Sequence, residues 1–141
     1  MRLVLLDTSA IYALMVDEDR MHATARAYLT QAMNQGVRFV LADCVFAETM
    51  NLVRARWGVR TSILVGRSLR RASGYAWELL TAADERGAWD SFQRFDDKNW
   101  SFTDCCLLSL AQRMHVTEVF AFDAHFEQMP GIVRVPQRTG R

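Results

Sequence analysis

The sequence predicts a three-layer α/β domain, in which helices cover both faces of a central, mostly parallel sheet. Short apolar runs, typical of strands buried on both faces, alternate along the chain with longer segments whose apolar residues recur at helical spacing. The chain has 141 residues, 50% of them hydrophobic and 23% charged, which suits one globular domain with its own core. We therefore expect residues 1–141 to form a single domain.

The predicted elements follow one another in a regular order. Thr8 or Ser9 is expected to cap the first helix, Gly36 to stop the second, and Asp43 to be the N-cap of the third. Residues 101–104, Ser-Phe-Thr-Asp, have the spacing of a capping box, with Asp in place of Glu or Gln, before the apolar run 105–114. Strands are predicted at residues 3–6, 38–41, 75–80, 118–122 and 132–135, and further helices at residues 21–34, 43–57, 61–71 and 82–95.

Composition excludes several classes of protein. The formal net charge is +1, so overall charge gives no argument for a nucleic-acid partner. The three cysteines form neither a disulfide framework nor a CxxC metal pair, and we expect them to be reduced. The first apolar run, residues 3–6, is too short for a signal sequence or a membrane span. We therefore expect a soluble, cytoplasmic protein that does not bind membranes.

Arginine is unevenly distributed along the chain. Among the 17 basic residues only Lys98 is a lysine, and six arginines with no acid between them fall within residues 54–71. The planar guanidinium group suits phosphate and guanine recognition better than an ammonium group does. Two interpretations of this segment stay open: a nucleic-acid contact surface, or a solvated helix face that binds nothing.

The placement of four acids is the main functional clue. Asp7 follows the first predicted strand and Asp123 follows a late one, and open α/β sheets bind ligands at the carboxyl ends of their strands. Asp104 lies in the first turn of a predicted helix, where free amides tolerate an anion. Glu48 lies at the edge of an apolar stripe, where burial of a carboxylate destabilises the fold unless a positive charge lies next to it.

Each acid has an ordinary structural explanation when it is considered alone. Asp7 and Asp123 could be turn or cap residues, Asp104 could serve only the capping box, and Glu48 could be a solvated residue at a helix boundary. Together, four acids that converge on one edge of a sheet provide the oxygen ligands that a hard divalent cation needs.

Other α/β functions fit the sequence less well. A phosphoacceptor receiver domain needs an adjacent acidic pair after the first strand and a lysine after the last, and a haloacid-dehalogenase-like phosphatase needs an Asp where Ser9 stands. No GxGxxG or GxxxxGK[ST] motif is present, so dinucleotide and P-loop functions are unsupported. His22, His115 and His125 lack metal-ligand spacing and are interpreted as structural or solvated, although His125 is near enough to Asp123 to reach a substrate phosphate.

Four segments of the chain resemble a known family. They are LVLLDTSAIYAL at 3–14, FAETMNLVRAR at 46–56, WSFTDCCLLSLAQRM at 100–114 and TEVFAFDAHFEQM at 117–129. They resemble PIN-domain nucleases, and most closely the VapC-type toxins of bacterial toxin–antitoxin pairs. The resemblance covers essentially the whole chain.

The resemblance implies a PIN-like sheet of about five parallel strands, a Mg²⁺ or Mn²⁺ cofactor and cleavage of RNA. It also implies a homodimer and a small antitoxin that covers the active site. The four acids of the family map to Asp7, Glu48, Asp104 and Asp123. The hydroxyl residues of its pattern map to Thr8 and Ser101, which we expect to hold the metal ligands in position through hydrogen bonds.

Hydrolysis of a phosphodiester needs a nucleophile at neutral pH and neutralisation of the phosphoryl charge, and bound Mg²⁺ or Mn²⁺ supplies both. We expect Asp7 and Asp104 to be the main ligands, Glu48 to complete the coordination or orient the water, and Asp123 to hold a second metal or to act through water. The arginines expected to contact RNA phosphates are Arg54, Arg67, Arg70 and Arg71. Two alternatives stay open: a PIN-domain RNA-processing nuclease that is not a toxin, and a module that binds RNA or protein without cleaving.

Overall fold

A computed structural model describes residues 1–138 and contains a five-stranded sheet in which every neighbouring pair is parallel. Consecutive residues of β1, which point to opposite faces, are all buried from Val4 to Leu6, so both faces of the sheet are covered. The strands are β1 (Leu3–Leu6), β2 (Arg38–Ala42), β3 (Tyr75–Glu78), β4 (Glu118–Phe120) and β5 (Val133–Val135). The helices are α1 (Thr8–Met15), α2 (His22–Asn34), α3 (Asp43–Trp57), α4 (Val59–Arg71), α5 (Ala82–Arg94) and α6 (Phe102–Met114), with a 3-10 helix at Ala124–Glu127.

The predicted α/β fold is confirmed, and the differences lie at element ends. The N-cap of α1 is Asp7, not Thr8 or Ser9, because the Asp7 carboxylate accepts a hydrogen bond from the backbone of Ser9. The helix α3 begins at Asp43 itself, with Ala42 as its N-cap. The Asp43 Oδ1 instead accepts from the backbone N–H of Leu80 at 3.1 Å and so ties α3 to the end of β3.

Two smaller differences also have local causes. The helix α4 starts at Val59, two residues earlier than predicted, because Gly58 at φ 91° allows the chain to reverse directly between α3 and α4. The strand β4 stops at Phe120, and residues 121–122 continue as irregular chain toward Asp123.

The strand order is β3-β2-β1-β4-β5, so the order reverses where β1 lies beside β4. The backbone N–H of Asp7 donates to the carbonyl of Phe120 at 3.0 Å, which joins the ends of these two strands. Such a switch point leaves a crevice outside the carboxyl ends of the strands, where α/β proteins bind ligands. The fold therefore brings the residues that follow β1 and β4 together.

The helix α6, which carries Asp104, is anchored firmly to α5. The Ser109 hydroxyl donates to the carbonyl of Asp84 at 2.7 Å, and the Arg113 guanidinium donates to the Asp84 carboxylate at 2.9 Å. A Cβ atom at Gly87 would lie 2.7 Å from the Ser109 Oγ, so the two helices pack closely there. The site residue on α6 is therefore held by a rigid helix pair.

Within residues 1–138, no helix combines the length and apolar character needed to cross a membrane. The three cysteines, Cys44, Cys105 and Cys106, are free thiols, as the sequence predicted.

Candidate functional site

The Asp7 carboxylate is fixed by the residues that begin α1. Its Oδ2 accepts hydrogen bonds from the backbone N–H of Ser9 at 3.0 Å and from the Ser9 hydroxyl at 2.5 Å. The Ser9 hydroxyl oxygen in turn accepts from the backbone N–H of Phe122 at 2.9 Å. Ser9 therefore holds Asp7 against the segment that leads from β4 to Asp123.

The other two aspartates are also cap residues. The Asp104 Oδ2 accepts from the backbone N–H of Ser101 at 2.9 Å, and the Ser101 hydroxyl accepts from the Asp104 N–H at 3.0 Å, which confirms the predicted capping box. The Asp123 Oδ1 accepts from the backbone N–H of His125 at 2.9 Å and caps the 3-10 helix.

The three aspartates share one pattern. In each, one carboxylate oxygen is committed to a cap, while the other accepts no hydrogen bond from any residue in the described range 1–138. Asp7 is 3% exposed and Asp104 4%, so these oxygens have little contact with bulk water. Nearly buried carboxylate oxygens without a protein donor are suited to bind a hard cation.

Burial and neighbouring carboxylates make two acids of the site difficult to ionise. Burial, assisted by the nearby charges of Asp104 and Glu48, raises the pKa of Asp7 to about 7 against the opposing effect of the Ser9 hydrogen bonds. Burial also raises the pKa of Asp104, assisted by the charge of Asp123. Asp7 is thus near enough to Asp104 and Glu48, and Asp104 to Asp123, for their charges to interact.

His125 joins the same group of side chains. Its Nδ1 lies 3.0 Å from the Asp104 Oδ2 and 3.2 Å from the Asp123 Oδ1, and ligand atoms of these three residues all lie within 4.8 Å of one another. The sequence did not predict that His125 contacts both Asp104 and Asp123. The available signal was its position two residues after Asp123, on a turn that folds its ring back toward that carboxylate.

A model of the PIN domain matches residues 4–132 of the chain. The chain belongs to the PIN domain family. A similar relative is the 23S rRNA-specific endonuclease VapC20 of Mycobacterium tuberculosis, 26% identical over 124 residues that cover 88% of this chain and 92% of that protein.

Solved structures agree with this assignment. The crystal structure of the M. tuberculosis VapC20, a toxin that cleaves the sarcin–ricin loop, is 25% identical and superposes with a TM-score of 0.82 over 92% of this chain and 96% of that one. VapBC2 of Rickettsia felis, bound to a DNA fragment from its promoter, is only 10% identical, with a TM-score of 0.72 over 94% and 96% of the two chains. The second likeness shows the fold alone.

Within this PIN domain, the predicted supporting hydroxyls have different surroundings. Ser101 contacts Asp104 through the capping box. The hydroxyl of Thr8 is buried and makes no hydrogen bond with any of residues 1–138. The hydroxyl that supports Asp7 is that of Ser9, because the first turn of α1 directs this side chain back to the cap.

Glu48 and Arg54 lie on α3, and the other arginines predicted to bind RNA lie on α4. Glu48 is half-buried on α3, and neither Glu48 nor Asp7 belongs to the compact group formed by Asp104, Asp123 and His125. The arginines predicted to bind RNA are all exposed, and no ion pair joins them to the four acids among residues 1–138; they are Arg54, Arg67, Arg70 and Arg71.

Two of these arginines line a shallow surface cleft and one packs on aromatic rings. Arg67 and Arg71 lie in the cleft with Leu64 and Ser68. The Arg70 Cζ lies 5.2 Å from the ring centroid of Phe46 and 5.4 Å from that of Trp77. This is a cation–π arrangement, in which the guanidinium group of Arg70 packs against the two rings.

Proposed function

We propose that this PIN domain is a divalent-metal-dependent endoribonuclease that acts as the toxin of a VapBC-type toxin–antitoxin pair. The observation that carries the proposal is the group of acids at the switch point between β1 and β4, in a chain similar to VapC20 over nearly its whole length. The site supports hydrolysis of phosphodiesters, because a cluster of carboxylates without thiol ligands suits Mg²⁺ or Mn²⁺ and a phosphate substrate.

The residues present fit a divalent cation. Asp7 and Asp104 would hold it through their carboxylate oxygens, and Asp123 would complete the coordination or act through water. The raised pKa of Asp7 supports this, because a bound cation would stabilise its ionised form. We propose Mg²⁺ or Mn²⁺ as the ion.

Each side chain has a separate task in the proposed reaction. When bound, the divalent cation supplies charge for the phosphoryl oxygens and lowers the pKa of a water molecule. Glu48, half-buried on α3 and near enough to Asp7 to affect its pKa, would orient the attacking water. Ser9 and Ser101 keep Asp7 and Asp104 in position, so these carboxylates do not reorient during the reaction.

The proposed partners are RNA, a small antitoxin and a second copy of the chain. Exposed apolar residues support protein partners, since large exposed apolar side chains in a group often mark an interaction surface. One group lies where α3 meets α4 (Trp57, Val59, Ile63 and Leu64), and another is formed by Trp89, Phe92 and Phe102 on α5 and α6. We also propose that the protein acts in the cytoplasm.

Cleavage of ribosomal RNA is the test of the proposed function. The purified chain should cut RNA in Mg²⁺ or Mn²⁺ and should lose this activity in EDTA. Because VapC20 is named as a 23S rRNA-specific endonuclease, intact ribosomes and isolated 23S rRNA are the first substrates, followed by tRNA and single-stranded oligonucleotides. Primer extension then locates the cut.

The outcomes separate the competing functions. Activity that resists EDTA would contradict the metal-dependent mechanism. Metal binding and RNA binding without cleavage would instead identify a non-cleaving module. Cleavage without growth arrest on expression in the absence of an antitoxin would indicate an RNA-processing nuclease that is not a toxin.

The arginines of α4 should set the salt dependence of RNA binding. Arg67 and Arg71 lie one turn apart on the same helix face, and replacing both with Ala should remove two phosphate contacts. The slope of log K against log salt should then fall by roughly 1.4 units on single-stranded RNA. Fluorescence anisotropy at several salt concentrations measures the slope.

The matched control for this measurement is Arg38→Ala. Arg38 is exposed at the amino end of β2, at the edge of the sheet opposite to the acids, and its removal should leave the slope unchanged. A slope that the double variant does not change would assign Arg67 and Arg71 to a protein interface or to the solvated surface.

A further inference from the structure

His125 belongs to the compact side-chain group but to none of the roles assigned above. We propose that its Nδ1 is a direct ligand of the divalent cation, so that the centre has mixed nitrogen and oxygen ligands and prefers Mn²⁺ to Mg²⁺. This inference rests on the proposed function, because it concerns the cation of the same site.

The distances within the group are those of neighbouring ligands on one ion. The His125 Nδ1 lies 3.0 Å from the Asp104 Oδ2 and 3.2 Å from the Asp123 Oδ1. Two adjacent ligands of an octahedral ion, each about 2.1 Å from the metal, are separated by about 3.0 Å. The nitrogen and the two carboxylates therefore already stand at the spacing that a shared cation requires.

The ring of His125 is also held in this orientation by its own segment. Its backbone N–H donates to the Asp123 Oδ1 at 2.9 Å, and the next residue, Phe126, is completely buried in the core. The Arg134 guanidinium bonds both the carbonyl of Ala121, at 2.8 Å, and the Glu127 carboxylate, at 2.9 Å. The 3-10 helix is thus anchored at both ends, and the imidazole reaches the site without rearrangement of the backbone.

The chemistry of the donor atoms gives the preference between metals. Mg²⁺ favours oxygen ligands almost exclusively, whereas imidazole nitrogen suits transition-metal ions. Replacing one oxygen ligand by nitrogen should therefore strengthen Mn²⁺ binding relative to Mg²⁺. If His125 only donated a hydrogen bond to the two carboxylates, its removal would change the affinity for both ions by a similar factor.

Pulsed electron paramagnetic resonance of the Mn²⁺-loaded full chain distinguishes these roles. A coordinated imidazole produces nitrogen modulation of the Mn²⁺ echo, and this modulation should change from the ¹⁴N to the ¹⁵N pattern when histidine is labelled with ¹⁵N. His125→Ala should abolish the modulation. The matched control is His115→Asn, because His115 lies outside the metal-binding group, with φ at 56°, a backbone conformation that Asn tolerates.

Isothermal titration calorimetry with each ion completes the test. His125→Ala should weaken Mn²⁺ binding by about tenfold or more and Mg²⁺ binding by clearly less. Mn²⁺ that binds without histidine nitrogen modulation, Mn²⁺ that does not bind, or modulation that survives in His125→Ala would each overturn the proposal. The labelled wild-type chain distinguishes a coordinated imidazole from an uncoordinated one even if the variant fails to fold.

These outcomes are separable from those of the cleavage assay. Nitrogen modulation in a chain that cuts no RNA would leave the ligand assignment standing and refute the nuclease. RNA cleavage with oxygen-only Mn²⁺ coordination would leave the nuclease standing and refute the ligand assignment.

Discussion

Asp7→Asn and Asp104→Asn should each reduce RNA cleavage at least about 10²-fold, the cost typical of losing a main electrostatic contributor. Asn keeps the shape of the side chain and a carbonyl oxygen that can accept the cap hydrogen bond from Ser9 or Ser101. Each variant therefore removes the negative charge with little change to the helix start. Single-turnover cleavage rates at saturating RNA measure the effect.

Asp17→Asn is the matched control for these two variants. The Asp17 side chain is 88% exposed and lies outside the acidic group, so this change also removes one carboxylate while leaving the site intact. It should retain the wild-type rate. If Asp7→Asn or Asp104→Asn also retained that rate, the acid concerned would play no part in cleavage.

The stability of the metal-free protein should fall as the pH rises through the titration of Asp7. An Asp titrates near pH 4 when unfolded, and here its folded pKa is about 7. The folded state thus binds the proton more tightly, and its stability declines by up to 1.36 kcal/mol per pH unit between these two values. The total is about 4 kcal/mol, a large fraction of a typical domain's stability.

Asp7→Asn isolates this contribution because it cannot ionise. In EDTA the variant should gain stability relative to wild type between about pH 4 and pH 7 and keep that gain at pH 8. Urea unfolding at a series of pH values gives the difference, with Asp17→Asn as the exposed control. A difference of equal size at pH 4 and pH 8 would contradict the raised pKa of Asp7.

Saturating Mg²⁺ or Mn²⁺ should restore the stability that the wild-type protein loses at pH 8. The cation replaces the missing positive charge, so the melting temperature should rise with metal concentration. The same addition should raise the melting temperature of Asp7→Asn much less, because one ligand charge is gone.

The order of the elements was predictable because it depends on local signals. Apolar runs mark the buried strands, and the spacing of Ser101 and Asp104 marks the start of α6. The convergence of Asp7, Asp104 and Asp123 was also predictable, since the carboxyl ends of parallel strands meet at one edge. The neighbouring position of β1 and β4 was not, because strand order depends on tertiary packing.

The sequence was least informative where a contact depends on the direction of a side chain. Thr8 and Ser9 are adjacent hydroxyl residues, and only the first turn of α1 decides that Ser9 reaches Asp7. His125 reaches Asp104, 21 residues away, only because a 3-10 helix folds its ring back. The sequence could not separate Arg70 from the other arginines, because its contacts with Phe46 and Trp77 depend on how α4 packs against α3 and β3.

The aspartates of the site are held in place by hydrogen bonds at the starts of helices. Because the caps already hold the carboxylates, the centre is preorganised by the same local interactions that start the helices, and metal binding requires little rearrangement. In small zinc domains, by contrast, loss of the ion unfolds the chain. Here the caps form without the ion, so we expect removal of the metal to inactivate the protein reversibly wherever the metal-free fold is stable.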